Sequence, residues 1–231
     1  MAEQSINALN KSIALHSGDY VEKYNRKSLG RVKRLVGLME TGAGEYIADF
    51  ACGNGMLLQA LGKREGQYVG VDFSQDFVDS ANIWAERSGL INYRFVCADI
   101  INFCSQHPGE FDIATTLDFS EHIDDALAVQ IYTAVHSSLK PGGKLYIHTP
   151  NLDFFMERAK DRGLIAQFPE HIAVRNGPQM LDILMQSGFE RSRLKLRHIG
   201  HYNILKLLHP LSYLPLVGKY FEARLWIEAH A

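Results

Sequence analysis

Short apolar runs alternate with helical patterns through the middle of the chain, and this alternation limits the possible folds more than any other feature. Each run has the length and the β-branched or aromatic content of a buried strand. Repeated strand and helix units predict an α/β protein with a mainly parallel sheet and helices on both faces. The predicted strands are 47–50, 68–71, 93–96, 112–116, 144–148, 193–198 and 224–229, and the predicted helices are 56–61, 75–88, 126–139, 152–162 and 178–187.

The composition excludes several classes of protein. With 231 residues, 46% of them hydrophobic, the chain can bury the core of a single domain over residues 1–231. Its 24 Lys and Arg against 26 Asp and Glu give a net charge of −2, so no overall field attracts nucleic acid. Nucleic acid is therefore a disfavoured partner, and the sequence predicts no particular oligomeric state.

The cysteines and the N-terminal residues predict where the protein resides. Cys52, Cys97 and Cys104 form neither a Cys-x-x-Cys pair nor a disulfide-rich pattern, which favours a reducing compartment. Residues 1–11 are polar, and no uninterrupted apolar run is long enough to cross a bilayer. We therefore expect a cytoplasmic protein with no obvious export signal.

A turn of small residues follows the first predicted strand and reads Asp-Phe-Ala-Cys-Gly-Asn-Gly from Asp49 to Gly55. Gly53 and Gly55 permit positive φ and a close approach of the backbone to a ligand, while the next helix offers N–H donors at its start. This pattern favours a cofactor site. It also closes ordinary loops between strands and helices, so the segment alone does not decide between the two.

Other motifs agree with this turn in order and spacing, and together they resemble the class I S-adenosylmethionine-dependent methyltransferases over nearly the whole chain. Asp72 ends the second strand, Asp99 follows the third, and Pro141-Gly142-Gly143 precedes the fifth. The resemblance implies a Rossmann-like seven-stranded sheet of order 3-2-1-4-5-7-6, with strand 7 antiparallel. A dinucleotide dehydrogenase also uses a glycine turn and a downstream acid, but the third glycine of its motif is missing here.

The resemblance also implies the cofactor, S-adenosyl-L-methionine, and its contacts. In the family, the acid at the position of Asp72 receives the ribose hydroxyls, and Asp99 matches the position near the adenine amino group. Ala51 stands where the family more often has glycine. The predicted cofactor contacts in the sheet are Asp49, Ala51, Cys52, Gly53, Gly55, Asp72, Phe73, Ser74, Ala98, Asp99, Ile100, Thr116 and Leu117.

Residues 1–41 resemble the helical cap that often folds over the cofactor in this family. The cap supplies Tyr20, Tyr24 and Arg31 as further predicted contacts, since an Arg or a Tyr there can reach the methionine carboxylate. Tyr20 and Tyr24 share a helical face, and packing in the core explains them equally well.

The segment after the fourth strand carries the candidate acceptor chemistry. It reads Asp118-Phe-Ser-Glu121-His122 and resembles the Glu-x-x-Glu-His motif of ubiquinone-type (type 11) O-methyltransferases and of small-RNA 2′-O-methyltransferases, with Asp118 replacing the first glutamate. A helix there would place Asp118, Glu121 and His122 on one face. These three residues are the predicted catalytic groups, and His148, at the end of the fifth strand, is an alternative base.

A divalent metal ion is a further implication of this motif. In the RNA enzymes a later histidine completes a metal site, and His171 is the corresponding residue here. The implied ligands are Asp118, Glu121, His122 and His171, a donor set that suits Mn²⁺, Fe²⁺, Co²⁺ or Zn²⁺ better than Mg²⁺. The same motif also caps a helix or supplies a base without any metal, so both interpretations stay open.

Residues 200–222 form an apolar, proline-containing insertion between the last two strands. Their aliphatic side chains can close the pocket. Alternatively, with Lys206, His209 and Lys219, the insertion can dock on a bilayer or hold a lipid-linked acceptor.

The sequence therefore predicts an enzyme that methylates a hydroxyl of a small or lipid-linked acceptor, such as a sugar, a quinone precursor or another vicinal hydroxyl compound. Methylation of nitrogen and 2′-O-methylation of RNA are the alternative reactions. A protein that binds the cofactor and stabilises a partner without catalysis is the alternative of a different class.

Overall fold

The computed structural model describes residues 29–231, and these contain one seven-stranded sheet with the order β3-β2-β1-β4-β5-β7-β6. Strand β7 runs antiparallel to both β5 and β6, and the other neighbouring strands are parallel. The predicted sheet order and direction of strand 7 are confirmed. The strands are β1 (Ile47–Phe50), β2 (Tyr68–Asp72), β3 (Tyr93–Cys97), β4 (Phe111–Leu117), β5 (Leu139–Pro150), β6 (Leu194–Ile199) and β7 (Arg224–His230).

The helices lie between and beyond these strands. They are α1 (Gly30–Val36), α2 (Met56–Leu61), α3 (Gln75–Arg87), α4 (Ile100–Ser105), α5 (Asp125–Ser138), α6 (Phe155–Asp161) and α7 (Gly177–Gln186). The 3-10 helices are Ser120–His122, Arg191–Arg193, Ile204–Tyr213 and Gly218–Phe221. Helix α4 was not predicted, because its six residues are too few to show a helical period and, unlike the equally short α2, it does not follow a glycine turn.

Two hydrophobic clusters cover the two faces of the sheet. In β1, Ala48 and Phe50 belong to one cluster and Ile47 to the other, as expected when successive side chains of a strand point to opposite faces. All four residues of β1 are buried, which explains its continuous apolar run. Trp226 of β7 stacks on Tyr146 of β5, with ring centroids 5.5 Å apart, and extends the second cluster across the antiparallel strands.

The register of the parallel strands aligns their carboxyl ends. Phe50 pairs with Val71 of β2 and with Thr116 of β4, and Leu117 pairs with His148 of β5. The residues that follow these positions therefore meet at one edge of the sheet, which is where ligands bind in open α/β folds.

Helix α1 is the described part of the predicted cap over residues 1–41, and Tyr20 and Tyr24 lie outside the described residues. The single domain over 1–231 stays a prediction. Within residues 29–231, none of the helices combines the length and the hydropathy that a membrane span requires.

Candidate active site

The turn after β1 adopts the conformation that its glycines suggested. Ala51, Gly53 and Gly55 all have positive φ, at 55°, 52° and 74°. A left-handed conformation costs an L-residue about 1–2 kcal/mol, which explains why glycine is commoner at the position of Ala51. At Gly55 a Cβ would stand 2.7 Å from Cζ of Phe95, so this position admits glycine alone without rearrangement.

Asp72 is fixed at the end of β2 and connects the turn to the next strand. One oxygen of its buried carboxylate accepts a hydrogen bond of 2.9 Å from the backbone N–H of Gly53, and the other accepts one of 2.9 Å from Ser74. A carboxylate only accepts hydrogen bonds, which suits it to the two hydroxyls of a ribose diol. The position and chemistry of Asp72 therefore fit the predicted contact with the cofactor ribose.

Asp49, in β1, stabilises the start of the turn. Its buried carboxylate accepts hydrogen bonds from the hydroxyl of Tyr68, at 2.7 Å, and from that of Thr115, at 2.6 Å. Burial raises the pKa of Asp49 to about 6, although both hydrogen bonds lower it. The sequence-based prediction missed Tyr68 and Thr115. The alternation of side chains along β4 could have identified Thr115, because neighbouring residues of a strand face opposite sides of the sheet. Thr116 faces the other side, where its hydroxyl lies 3.2 Å from the hydroxyl of Tyr132.

Asp99 and Ser74 occupy helix caps. The carboxylate of Asp99 accepts a hydrogen bond of 2.9 Å from Asn102 at the start of α4, and Ser74 caps α3. Asp99 is exposed beside half-buried Ala98, whereas Ile100 is buried. A cap role does not conflict with a cofactor contact, and the predicted contacts of these residues with the cofactor stay predictions.

The segment after β4 does not continue as a helix from Asp118. Asp118 has a φ of 54°, and a single 3-10 turn begins only at Ser120. The prediction that Asp118, Glu121 and His122 lie on one helical face is therefore wrong. The left-handed residue turns the Asp118 side chain away from the other two.

Asp118 instead forms ion pairs with two arginines. One carboxylate oxygen pairs with Arg31 of α1, and the other lies 3.3 Å from Nη1 of Arg224 at the start of β7. The same oxygen is 2.8 Å from Nδ1 of His148. Arg31 thus lies at the predicted edge of the site. The contact of Arg224 with Asp118 could not be predicted from the sequence, because the two residues lie far apart along the chain.

His148 is fully buried at this edge and contacts a residue of the insertion. Its Nε2 lies 2.5 Å from the hydroxyl oxygen of Tyr202. Burial lowers the pKa of His148 well below its usual value, and the guanidinium groups of Arg224 and Arg31 lower it further. His148 is therefore neutral near pH 7.

The structure brings Glu121, His122 and His171 together. One donor atom from each lies within 4.8 Å of the others, and Asp118 is not a member of this group. The backbone causes the juxtaposition, because the carbonyl of Glu121 accepts hydrogen bonds from the N–H groups of Ile172 and Ala173, at 2.9 and 3.1 Å. The predicted four-residue ligand set is thereby reduced to three.

The two imidazoles of this group can bind a divalent ion. Nδ1 of His122 lies 2.8 Å from the carbonyl oxygen of Glu170, so Nε2 is the nitrogen of this imidazole that could bind a metal. Burial, with His122 nearby, lowers the pKa of His171 to about 4, so His171 is neutral at pH 7. Its Nδ1 is buried without a hydrogen-bond partner among residues 29–231. Two imidazoles and one carboxylate suit Mn²⁺, Fe²⁺, Co²⁺ or Zn²⁺.

A buried arginine that the sequence-based prediction missed holds the turn in place. Arg175 donates hydrogen bonds to the carbonyls of Ser120 and Ile123, at 2.6 and 2.8 Å, and to the carboxylate of Asp125, at 2.7 Å. It fixes both ends of the turn that carries Glu121 and His122. No local pattern marks Arg175, because its partners lie about 50 residues earlier.

Comparison with known proteins agrees with this site. A family model described as a methyltransferase domain matches residues 47–143. A ubiquinone biosynthesis O-methyltransferase of Idiomarina loihiensis is 37% identical over 109 residues, which are 47% of this chain and 43% of that protein. The match thus spans less than half the length of this relative.

Solved structures share the fold at low sequence identity. A SAM dependent methyltransferase from Archaeoglobus fulgidus has a TM-score of 0.66 and 16% identity, with 91% of this chain and 97% of that chain covered. The cyclase SpnF has a TM-score of 0.63 and 19% identity, with 87% and 79% covered. These likenesses concern the fold alone.

The matched residues 47–143 contain the glycine turn, Asp72 and the turn after β4. Residues 47–143 are thus similar to a methyltransferase domain, and the sheet order, in which an antiparallel β7 lies between β5 and β6, is the order that the resemblance to class I S-adenosylmethionine-dependent methyltransferases implied.

Proposed function

We propose that this protein transfers a methyl group from S-adenosylmethionine to a hydroxyl oxygen of a small or lipid-linked acceptor. The observation that carries the proposal is the arrangement of one sheet edge. There the turn from Asp49 to Gly55 and Asp72 stand beside a group of polar side chains after β4 and β5, which includes Glu121, His122 and His148.

Each side of this edge has a separate task. When bound, the cofactor supplies an electrophilic methyl carbon. Asp72 holds the ribose, and Arg31 can pair with the methionine carboxylate in place of Asp118. Because methyl transfer is an in-line displacement, the remaining task of the protein is to orient the acceptor oxygen and to remove its proton.

The acceptor that fits best is an aromatic compound with vicinal hydroxyls, such as a quinone precursor. The relative from Idiomarina is named for O-methylation in ubiquinone biosynthesis, and the turn after β4 lies within residues 47–143, which match the methyltransferase-domain model. A sugar hydroxyl is less acidic and demands a stronger base. RNA is disfavoured because the net charge is −2.

Glu121, His122 and His171 are the residues that would hold a divalent ion at this site. Bound there, the ion would lower the pKa of an acceptor hydroxyl and orient two neighbouring oxygens. Two observations support this part of the proposal: Nδ1 of His171 has no hydrogen-bond partner within residues 29–231, and the distances within the group are short.

A methyl-transfer assay with a matched panel of acceptors tests the proposed reaction. We expect isotope-labelled S-adenosylmethionine to methylate an oxygen of dihydroxybenzoate, a vicinal diol, and to methylate monohydroxybenzoate, aminobenzoate and a short RNA far more slowly. Mass spectrometry of the product identifies the labelled atom. Transfer to the amine or to RNA in preference to the diol would contradict the proposed acceptor.

We further propose that the insertion contacts an anionic bilayer, from which a lipid-linked acceptor reaches the site. Residues 200–221 contain no Asp or Glu but include Lys206 and Lys219. The insertion exposes several large apolar side chains, namely Ile204, Leu207, Tyr213, Leu214, Leu216 and Val217. Leu216 is 95% exposed and has a φ of 67°, so the backbone holds an apolar side chain towards solvent at a cost in strain.

A second exposed apolar segment adjoins the first and enlarges this surface. Leu164 and Phe168, which follow α6, are 76% and 54% exposed. Helix α6 packs on the insertion, because Arg158 lies over the ring of Tyr220 and Phe155 lies 6.1 Å from Phe221. Apolar side chains flanked by basic ones are typical of a surface that binds anionic lipid.

Flotation with phosphatidylglycerol vesicles tests this surface. We expect the protein to float with these vesicles, and we expect the double variant Leu207→Ser and Leu216→Ser to stay in the dense fraction because it loses exposed apolar area. Ile83→Ser, which removes an exposed apolar side chain of α3, is the control and should float like the wild type. Absence of the wild type from the vesicle fraction would refute the membrane contact.

A further inference from the structure

Three polar side chains form a continuous chain of contacts from the end of β4 into the insertion. The hydroxyl of Tyr202 lies 2.5 Å from Nε2 of His148, and Nδ1 of the same imidazole lies 2.8 Å from Asp118. Each residue comes from a different part of the fold: Asp118 follows β4, His148 lies in β5, and Tyr202 follows β6. A proton can pass along the hydrogen bond between Tyr202 and His148.

The protonation of this chain has a definite direction. Burial raises the pKa of Tyr202 to about 12, so the phenol keeps its proton and donates it to Nε2 of neutral His148. The second imidazole nitrogen, Nδ1, then carries hydrogen and lies 2.8 Å from the carboxylate of Asp118, without the alignment of a hydrogen bond. Through a lone pair, the oxygen of Tyr202 can then accept a hydrogen bond from another hydroxyl.

An acceptor reaches this chain of contacts through Tyr202. His148 is fully buried, and the Asp118 carboxylate is enclosed by Arg31 and Arg224. Tyr202 is half-buried and belongs to the insertion, at the edge where Leu117 and His148 pair. An acceptor at the cofactor edge therefore meets the hydroxyl of Tyr202 before it meets the other two groups.

We propose that Tyr202 is a catalytic residue that takes the proton of the acceptor hydroxyl, with His148 and Asp118 as the positioning residues behind it. This inference rests on the proposed methyl transfer and names its base. None of the sequence motifs marked Tyr202, because it lies in the insertion, outside the segments that resemble the family.

The step balances in protons and electrons. The acceptor O–H bond breaks and its proton passes to the Tyr202 oxygen, while the phenol proton of Tyr202 passes to Nε2 of His148. The electron pair left on the acceptor oxygen forms the bond to the methyl carbon. The electron pair of the broken S–C bond stays on sulfur, which becomes a neutral thioether. The imidazolium later returns its proton to water through Tyr202.

The charged groups around these three side chains affect how readily His148 takes up a proton. Arg31 and Arg224 lie over the ring of Tyr202, at 5.9 and 6.0 Å from its centroid, and both oppose a positive charge on His148. The carboxylate of Asp118 pairs with both arginines and lies 2.8 Å from Nδ1 of the imidazole. Arg34 is a further positive group that faces Tyr202.

The variant Tyr202→Phe tests the proposal, because it keeps the ring and its contacts with the arginines but removes the hydroxyl. We expect kcat with dihydroxybenzoate to fall about 100-fold, the usual contribution of a general base. With nitrocatechol, whose hydroxyl is already ionised near neutral pH, we expect kcat to stay close to that of the wild type. In the absence of both acceptors, Tyr202→Phe and the wild type should bind S-adenosylhomocysteine with the same affinity.

Tyr93→Phe is the matched control, since Tyr93 is half-buried like Tyr202 but lies on β3, at the opposite end of the sheet order from β6 and β7. It should behave as the wild type with both acceptors. Equal rates of Tyr202→Phe and wild type on dihydroxybenzoate, or an equal loss on both acceptors, would overturn the role of Tyr202 while leaving methyl transfer intact. A wild type that binds S-adenosylhomocysteine but methylates neither acceptor would overturn the proposed function and this inference together.

His148→Asn provides a second variant in case Tyr202→Phe does not fold. It removes the group that receives the phenol proton, and we expect the same dependence on the acceptor: a loss of about 10-fold or more in kcat with dihydroxybenzoate and little loss with nitrocatechol. A loss of equal size with both acceptors would mean that His148 only supports the structure, and the relay would be refuted.

Discussion

Replacing Asp72 by Ala is expected to weaken the binding of S-adenosylhomocysteine roughly 100-fold, because two hydrogen bonds from ribose hydroxyls to a carboxylate are together worth about 3 kcal/mol. The change also removes the acceptor of the Gly53 and Ser74 N–H groups, which fixes the turn beside β1. Calorimetric titration of the variant and the wild type measures the difference directly.

Asp79→Ala is the control for this experiment. Asp79 lies on α3, is exposed, and accepts a hydrogen bond from Gln75, so its loss changes the charge near the site by the same amount. We expect the affinity of Asp79→Ala to equal that of the wild type within a factor of about two, because surface interactions of this kind are weak. If Asp72→Ala kept the affinity of the wild type, the ribose could not bind at Asp72.

Removal of divalent ions is expected to lower methyl transfer to a vicinal diol about 100-fold, because the reaction loses a Lewis acid worth several kcal/mol. Addition of Mn²⁺ should restore the rate. The variant His171→Ala should lose both the rate and the binding of Mn²⁺, measured by the paramagnetic resonance signal of the free ion, while its affinity for S-adenosylhomocysteine stays unchanged.

His107→Ala is the matched control for the metal experiment. Like His122, His107 contacts a backbone carbonyl through Nδ1, at 2.8 Å from Phe103, but it follows α4 and does not belong to the metal-ligand group. Its replacement should leave Mn²⁺ binding unchanged. Full activity of the wild type after chelation, together with normal Mn²⁺ binding by His171→Ala, would remove the metal from the account.

Much of the fold was predictable because its signals are local. The four buried residues of β1 and the apolar runs of the other strands mark their own positions, and the small residues from Ala51 to Gly55 mark the turn. The order of the strands came from the resemblance to a family. Helix α4 escaped prediction because it is short and its clearest signal is a single cap, Asp99.

The site was less predictable because distant residues define it. Asp118 was expected on a helix with Glu121, but its conformation accompanies ion pairs with Arg31 and Arg224, one of them 106 residues away. Arg175, Thr115 and Tyr202 likewise act through contacts across 50 or more residues. A single sequence shows none of these partners, whereas the resemblance pointed to His171 beside Glu121 and His122.

The fold by itself does not determine the reaction. The cyclase SpnF has a similar fold, so the chemistry depends on the side chains at the sheet edge. In this chain those side chains include acids, imidazoles and a phenol around the expected position of the methyl group, which favours proton removal from a hydroxyl over a role in cofactor binding alone.

A crystal structure of the protein with bound S-adenosylhomocysteine tests the central claim most directly. We predict that the ribose hydroxyls contact the carboxylate of Asp72, that the turn from Ala51 to Gly55 lines the ligand, and that the sulfur faces the edge formed by Glu121 and Tyr202. A ligand bound elsewhere, or one whose sulfur faces away from that edge, would contradict the account.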